Sequence, residues 1–258
     1  MTRRLVKRRL LAFMTATAVL AVACGGVTSP SLSDPKEIVT KATEALAAAK
    51  SVHLQADVAG KVNIDLLGTG QASALDLQGT TVGGDVDITG KKVKVNLAAP
   101  ALLGLSADAV VIGPDTWLKF SLLGPRWQHS TTPAKAEGAV SDPAKTIADL
   151  TAALAKLPTP PVKLPDERCG NTDCYHVQLK GTAADLGPLA SAASGISGDA
   201  TVDMFIEHGT KRPVKLVVTT TAGNAGPLAV TLNLSNWDQA VTIEPPPASE
   251  VDEASPSL

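Results

Sequence analysis

"DVDITGKKVKVNL", residues Asp85–Leu97, carries the clearest folding signal in the chain. Val86 and Ile88 alternate with Asp85 and Asp87; then Val93, Val95 and Leu97 alternate with Lys92, Lys94 and Asn96. Successive side chains of a strand point to opposite faces, so each half is a strand with one greasy and one wet side. Gly90 marks the turn between them, and the stretch reads as an antiparallel hairpin. The same alternation recurs upstream in "VHLQADVAGKVNIDLL", which lines up Val52, Leu54, Ala56 and Val58, then Val62, Ile64 and Leu66. It recurs downstream in "ADAVVIGPDTWLKFS", a hairpin about Gly113-Pro114, with Trp127 following in "GPRWQHS". "YHVQLKG" is a further strand, and "DATVDMFIEHG", "RPVKLVVTTTAG" and "PLAVTLNLSNWD" finish the series, with "AVTIEP" extending the last.

Helical periodicity interrupts this pattern twice. Asp34-Pro35 and Asp142-Pro143 each place an N-cap aspartate before a proline at the first helical position. The first helix carries the stripe Ile38, Ala42, Ala45, Leu46 and Ala49; the second runs to about Leu157 with Ile147, Leu150 and Leu154 on one side. A Pro-rich connector follows the second helix, and "TAADLGPLASAASG" reads as a short broken helix. Strands outnumber helices and short turns join neighbouring strands, so the fold class is α+β on a large antiparallel sheet.

The ends read differently. Arg3, Arg4, Lys7, Arg8 and Arg9 precede the uncharged 14-residue stretch Leu10–Ala23, too short to span a bilayer and suited to a signal h-region. Small residues then lead into Cys24-Gly25-Gly26, so residues 1–23 are expected to be a lipoprotein signal peptide and Cys24 the lipidated residue. Ala21 stands where leucine is commonest, and the pair Arg3-Arg4 leaves Sec and Tat export both open. Residues 24–33 form a Ser/Pro tether, residues 34–243 the folded domain, and residues 244–258 a Pro-rich acidic tail expected to be disordered.

Removing residues 1–23 takes five of the 23 Lys and Arg and none of the 25 Asp and Glu, leaving 18 against 25, a formal charge of −7. A mildly acidic chain offers no field for nucleic acid or anionic headgroups, so membrane attachment rests on the lipid. In an oxidising compartment Cys169 and Cys174 read as a disulfide closing the loop "CGNTDC". A zinc site would need partners, and His53, His129, His176 and His208 are scattered.

Catalysis finds little support. Gly195-Ile196-Ser197-Gly198 lacks the last spacer of a nucleophile elbow. Asp85 and Asp87 share the wet face of a strand, and Gly83-Gly84 precede a strand without a following helix, so no phosphate cradle forms. No enzyme, metal or cofactor is expected.

The order of these elements resembles the actinobacterial LppX/LprAFG lipoprotein family. The likeness is carried by Cys24, the helix and strand "DPKEIVTKATEALAAAKSVHLQADV", the centre "VVIGPDTWLKF…RWQHS", the helix "DPAKTIADLTAAL", the hairpin "DMFIEHGTKRPVKLVVT" and the closing "VTIEPPP". That resemblance implies a curved antiparallel half-barrel with helices over its concave face, enclosing an apolar cavity. It also implies that the cavity holds acylated lipids or glycolipids for movement to the outer envelope, at the outer face of the cytoplasmic membrane, with a membrane exporter as a partner. The family has no catalytic motif to transfer.

The cavity candidates come from alternation instead: Leu54, Val58, Val62, Ile64, Val86, Ile88, Val93, Val95, Leu97, Leu118, Ile147, Leu150, Leu154, Met204, Ile206, Leu216, Val218 and Leu232. Beyond the signal only Trp117, Phe120, Trp127, Tyr175, Phe205 and Trp237 are aromatic, so few rings are at hand to fill the centre of such a sheet. On composition alone an ordinary close-packed core is the better reading; the resemblance reverses it. An envelope sensor or assembly factor that binds a protein partner through an apolar groove is the alternative.

Overall fold

Both Asp-Pro helix starts form as expected. In α1 (Pro35–Ala47) the Asp34 carboxylate accepts a hydrogen bond from the Lys36 amide at 3.0 Å, and in α2 (Pro143–Ala155) Asp142 accepts from the Lys145 amide at 3.1 Å. Lys91 donates to the other Asp142 oxygen at 2.9 Å, which ties the start of α2 to the turn of the Asp85–Leu97 hairpin. The Lys91 bond first, and the Lys145 amide second, hold the Asp142 carboxyl below the usual carboxylate range. At 13 residues each, these helices are marginal alone and depend on what they pack against.

The computed structural model describes residues 31–64, 73–131, 142–156, 158–182, 185, 198–221 and 226–253. Among them the strands are β1 (Ser51–Ile64), β2 (Ser73–Asp76), β3 (Thr80–Asp87), β4 (Lys92–Ala99), β5 (Leu105–Ile112), β6 (Asp115–Phe120) and β7 (Trp127–Ser130). β8 (Val162–Cys169), β9 (Thr172–Thr182), β10 (Asp199–Glu207), β11 (Pro213–Thr221), β12 (Pro227–Ser235) and β13 (Val251–Glu253) follow. They form one large, curved, open sheet in the order β13-β7-β6-β5-β4-β3-β1-β12-β11-β10-β9-β8, with β2 branching from β1. Every pairing is antiparallel except β13 with β7.

Gly60 creates that branch. Its φ of +123° suits glycine, and a Cβ there would lie 2.3 Å from the Pro227 carbonyl oxygen. Before Gly60, β1 pairs with β12 and β3; beyond it, Lys61–Ile64 pair with β2. Gly60→Ala should therefore lower unfolding free energy by about 1–3 kcal/mol, the usual cost of forced overpacking, read from a denaturant curve. A change within 0.5 kcal/mol, roughly that of an ordinary surface substitution, would contradict this account of the kink.

Three expectations are corrected. The Pro-rich connector before Cys169 contains β8, whose ladder shifts register between Leu164 and Glu167, around Pro165. An edge strand with a bulge tolerates the missing amide, and the same bulge erases the alternation. "AVTIEP" does not extend the last strand: β12 stops at Ser235, and the chain turns away through Asn236 and Asp238 in left-handed conformation. The Asp238 carboxylate accepts from the Lys50 amide at 2.7 Å, with Arg212 beside it, and these bonds hold its carboxyl below the usual range. The tail, expected to be disordered over 244–258, instead carries a 3₁₀ turn at Ala248–Glu250 and then β13. Arg126 fastens it, donating to the Asp252 carboxylate at 2.8 Å and to the Ser249 and Val251 carbonyls at 3.0 Å. β13 thus covers the exposed edge of the short strand β7.

Cys169 and Cys174 are joined in a disulfide, Cα–Cα 5.9 Å, across the β8–β9 turn. The broken helix expected at "TAADLGPLASAASG" lies almost wholly outside the described residues.

Candidate functional site

Residues directly opposite each other in an antiparallel ladder project on the same face of the sheet. Following the register from strand to strand therefore sorts the faces without further assumption. One row runs Phe120–Ala107–Leu97–Val82–Ala56–Leu232–Leu216–Met204–Val177, through nine strands from β6 to β9, and every member is apolar. A parallel row runs Leu118–Ala109–Val95–Gly84–Leu54–Leu234. A third joins Val58, Val230, Val218, Val202 and Leu179.

On the other face the rows between them carry the polar side chains, with Val110 and Trp117 continuing the Lys94 row towards β6. Lys94, Asp85, His53 and Ser235 follow one another there, as do Lys119, Asp108, Asn96, Gly83, Gln55 and Asn233. His53 Nδ1 lies 2.8 Å from Asp85 Oδ1, and His176 is held between Glu167 and Asp203, each at 2.9 Å. These carboxylates and imidazoles satisfy one another on the wet side, away from the apolar face.

Helix α1 covers only one end of that apolar face. Ile38 and Ala42 are fully buried and pack with Tyr175, Val177, Leu179, Val202, Met204 and Ile206, so β9–β11 and α1 form a sealed core. Towards β6 the same face changes character. Leu54, Ala56, Val58, Val82, Val95, Leu97, Ala109, Leu118 and Phe120 are all only half-buried. Val52, Val93 and Val111, nearer the strand ends, are buried. Helix α2 packs chiefly on α1, and Leu154 touches the core from the side.

A cleft of about 480 Å³ lies where α1, α2 and the Pro158–Pro161 connector meet β9, bounded by Val39, Thr43, Leu154 and Leu179. The face itself is shaped by small residues. A Cβ on Gly84 would lie 2.1 Å from the Lys94 carbonyl oxygen and 2.8 Å from Val95 Cα, so glycine is what lets β3 press against β4 here.

The sequence candidates fall into groups. Leu54, Val58, Val86, Val93, Val95, Leu97, Leu118, Met204, Ile206, Leu216, Val218 and Leu232 share the apolar face. Met204, Ile206 and Leu216 belong to its sealed end. Ile88 lies just past β3 and is buried; Val62 and Ile64 lie beyond the Gly60 kink, on the part of β1 that pairs with β2. Ile147 and Leu154 are half-buried on α2, and the side chain of Leu150 lies outside the described residues, as does Cys24. The candidate set left out Val82, Ala107, Ala109 and Phe120, and also Ala56 although its alternation is plain; the ladder places all five beside the candidates. Alanine is a weak signal by itself, and only its partners across the sheet show which way it faces.

The sequence model of the LppX_LprAFG lipoprotein family matches residues 34–243, from the cap of α1 to Ile243 beyond β12. The chain belongs to the LppX_LprAFG lipoprotein family. Among solved structures, LprF from Mycobacterium bovis is similar at 17% identity with a TM-score of 0.59, covering 82% of this chain and 96% of that one. The Mycobacterium tuberculosis lipoprotein LppX is similar at 15% identity with a TM-score of 0.55, covering 82% of this chain and all (100%) of that one. At such identities the likeness speaks for the fold, and the family match speaks for the rest. Among curated proteins none matches this sequence. In this family member the sheet is the dominant feature and the helices occupy one end of one face.

Proposed function

We propose that this lipoprotein takes the acyl chains of a lipid or glycolipid onto its apolar face and presents them for export. The reading makes the sheet a half-barrel with that face on its concave side and the helices over one end of it, so that the apolar face walls a cavity for the chains. The observation that carries it is the run of half-buried apolar side chains from Leu54 to Phe120 on the face whose other end α1 seals. The open part of the row, Phe120–Ala107–Leu97–Val82–Ala56, crosses five strands, and its four inter-strand steps at about 4.8 Å give roughly 19 Å of apolar surface. A 16-carbon chain in water costs on the order of 12 kcal/mol at about 0.8 per methylene, so a carrier needs such a surface and no catalytic group. Native mass spectrometry and lipid extraction of the mature protein from an actinobacterial host should reveal a co-purifying acyl lipid. A chain that carries none, with those side chains closed over one another, would end the proposal.

Cys24 is the anchor in this reading, with the protein at the outer face of the cytoplasmic membrane and an exporter as its partner. Two or more acyl chains make anchoring stable where one gives reversible binding. Cys24→Ala should move the protein from washed membranes to the soluble fraction on cell fractionation. Retention in the washed membranes would contradict the anchor.

A further inference from the structure

The three most exposed large hydrophobic side chains among the described residues sit together. Leu103 is 97% exposed at the β4–β5 turn, and Leu122 and Leu123 are each 71% exposed at the β6–β7 turn. The two turns are neighbours: the Ser121 amide donates to the Ser106 carbonyl at 2.9 Å, and the Ser106 amide donates to Ser121 Oγ at 3.0 Å. Both read Leu-Leu-Gly, in "PALLG" (100–104) and "SLLGPR" (121–126), and neither contains an acid. Leu103 also has a φ of +58°, a backbone region where turns ordinarily place Gly, Asn or Asp. A solvated turn has no use for leucine there.

We infer that these two turns form a lip that dips into the surface of a lipid bilayer. Knuckles of leucine suit a fluid apolar phase, whereas a protein partner would have to offer a pocket for each. The surroundings match a membrane interface. Trp127 stands directly behind the second turn, with Lys119 Nζ 5.4 Å from its ring centre, while Arg126 beside it is engaged by Asp252 and the tail. An amphipathic ring with a lysine over it, beside apolar tips, is what the headgroup layer accepts. A lipoprotein also spends its life beside a bilayer. Leu105 and Phe120, the last residues of the apolar face at this rim, lead straight into the two turns. The lip therefore adds a second, reversible membrane contact to the anchor and sets the end of the apolar face against the lipid.

The test uses the mature chain with Cys24→Ser, so that no acyl anchor competes with the lip. It is floated with phosphatidylcholine vesicles at millimolar lipid. Binding on the order of 10⁴ M⁻¹, like a single myristoyl chain, is expected. Each leucine contributes roughly tenfold, so Leu103→Ser, Leu122→Ser and Leu123→Ser combined should lower binding about 1000-fold with unchanged thermal unfolding. Such a contact is lost on dilution and washing, so it leaves the fractionation of Cys24→Ala unaffected. Equal flotation of the triple variant overturns the lip. So does a wild-type chain that ignores vesicles but dimerises through these leucines, which makes the patch a contact between copies. Vesicle binding without any co-purifying lipid keeps the lip and counts against the cargo reading alone.

Discussion

Val95→Trp should empty the protein of lipid while leaving it folded. Val95 stands mid-row on β4, with Gly84 on one side and Ala109 on the other. Its neighbours are the smallest on the apolar face, so an indole there projects over the trough. Because Val95 is only half-buried, the substitution adds bulk at an open surface and avoids the strain of overpacking a sealed core. The amount of acyl lipid per protein, read by native mass spectrometry, should fall about tenfold or more, equivalent to at least about 1.4 kcal/mol of binding. The melting temperature should stay within a few degrees. Unaltered lipid content would place the cargo elsewhere, the α1–α2 cleft being the next surface to block.

Ile38→Ala should have the reverse signature. Ile38 is fully buried where α1 meets Val177, Met204 and Ile206, and truncation leaves a cavity in the part of the sheet that is sealed. Truncations of this kind cost about 2–5 kcal/mol, which for a domain of this size lowers the melting temperature by roughly 5–15 °C. Denaturant unfolding monitored by Trp fluorescence reads the change. A loss below about 0.5 kcal/mol, the range of surface substitutions, would mean that α1 does not close the β9–β11 end. The two variants together separate a packed half of the face from an open half: one answers in stability, the other in cargo.

That division was only partly legible beforehand. Alternation in Asp85–Leu97 correctly paired β3 with β4, because adjacent strands joined by a short turn leave one choice of partner. It also sorted Val93 and Val95 from Lys92 and Lys94. It was silent on β8, where Pro165 and a bulge break the period, and on β13, where acidic and proline-rich composition resembles a disordered tail. There the deciding group is Arg126, which lies 126 residues before Asp252, its partner. No local pattern carries such a pairing.

What the sequence determined alone is of short range: the Asp-Pro starts of both helices, the hairpins with clear alternation, the Cys169–Cys174 loop and the wet or greasy sense of the alternating strands. Tertiary structure decided which strands lie side by side, that β1 joins β3 to β12, and that nine strands merge their apolar sides into one surface. It also decided that α1 closes only the β9–β11 end. The physical reason is that a period of two names a side chain's face but not its neighbour across the ladder. Neighbours follow from where distant segments meet, and only the folded sheet holds that information.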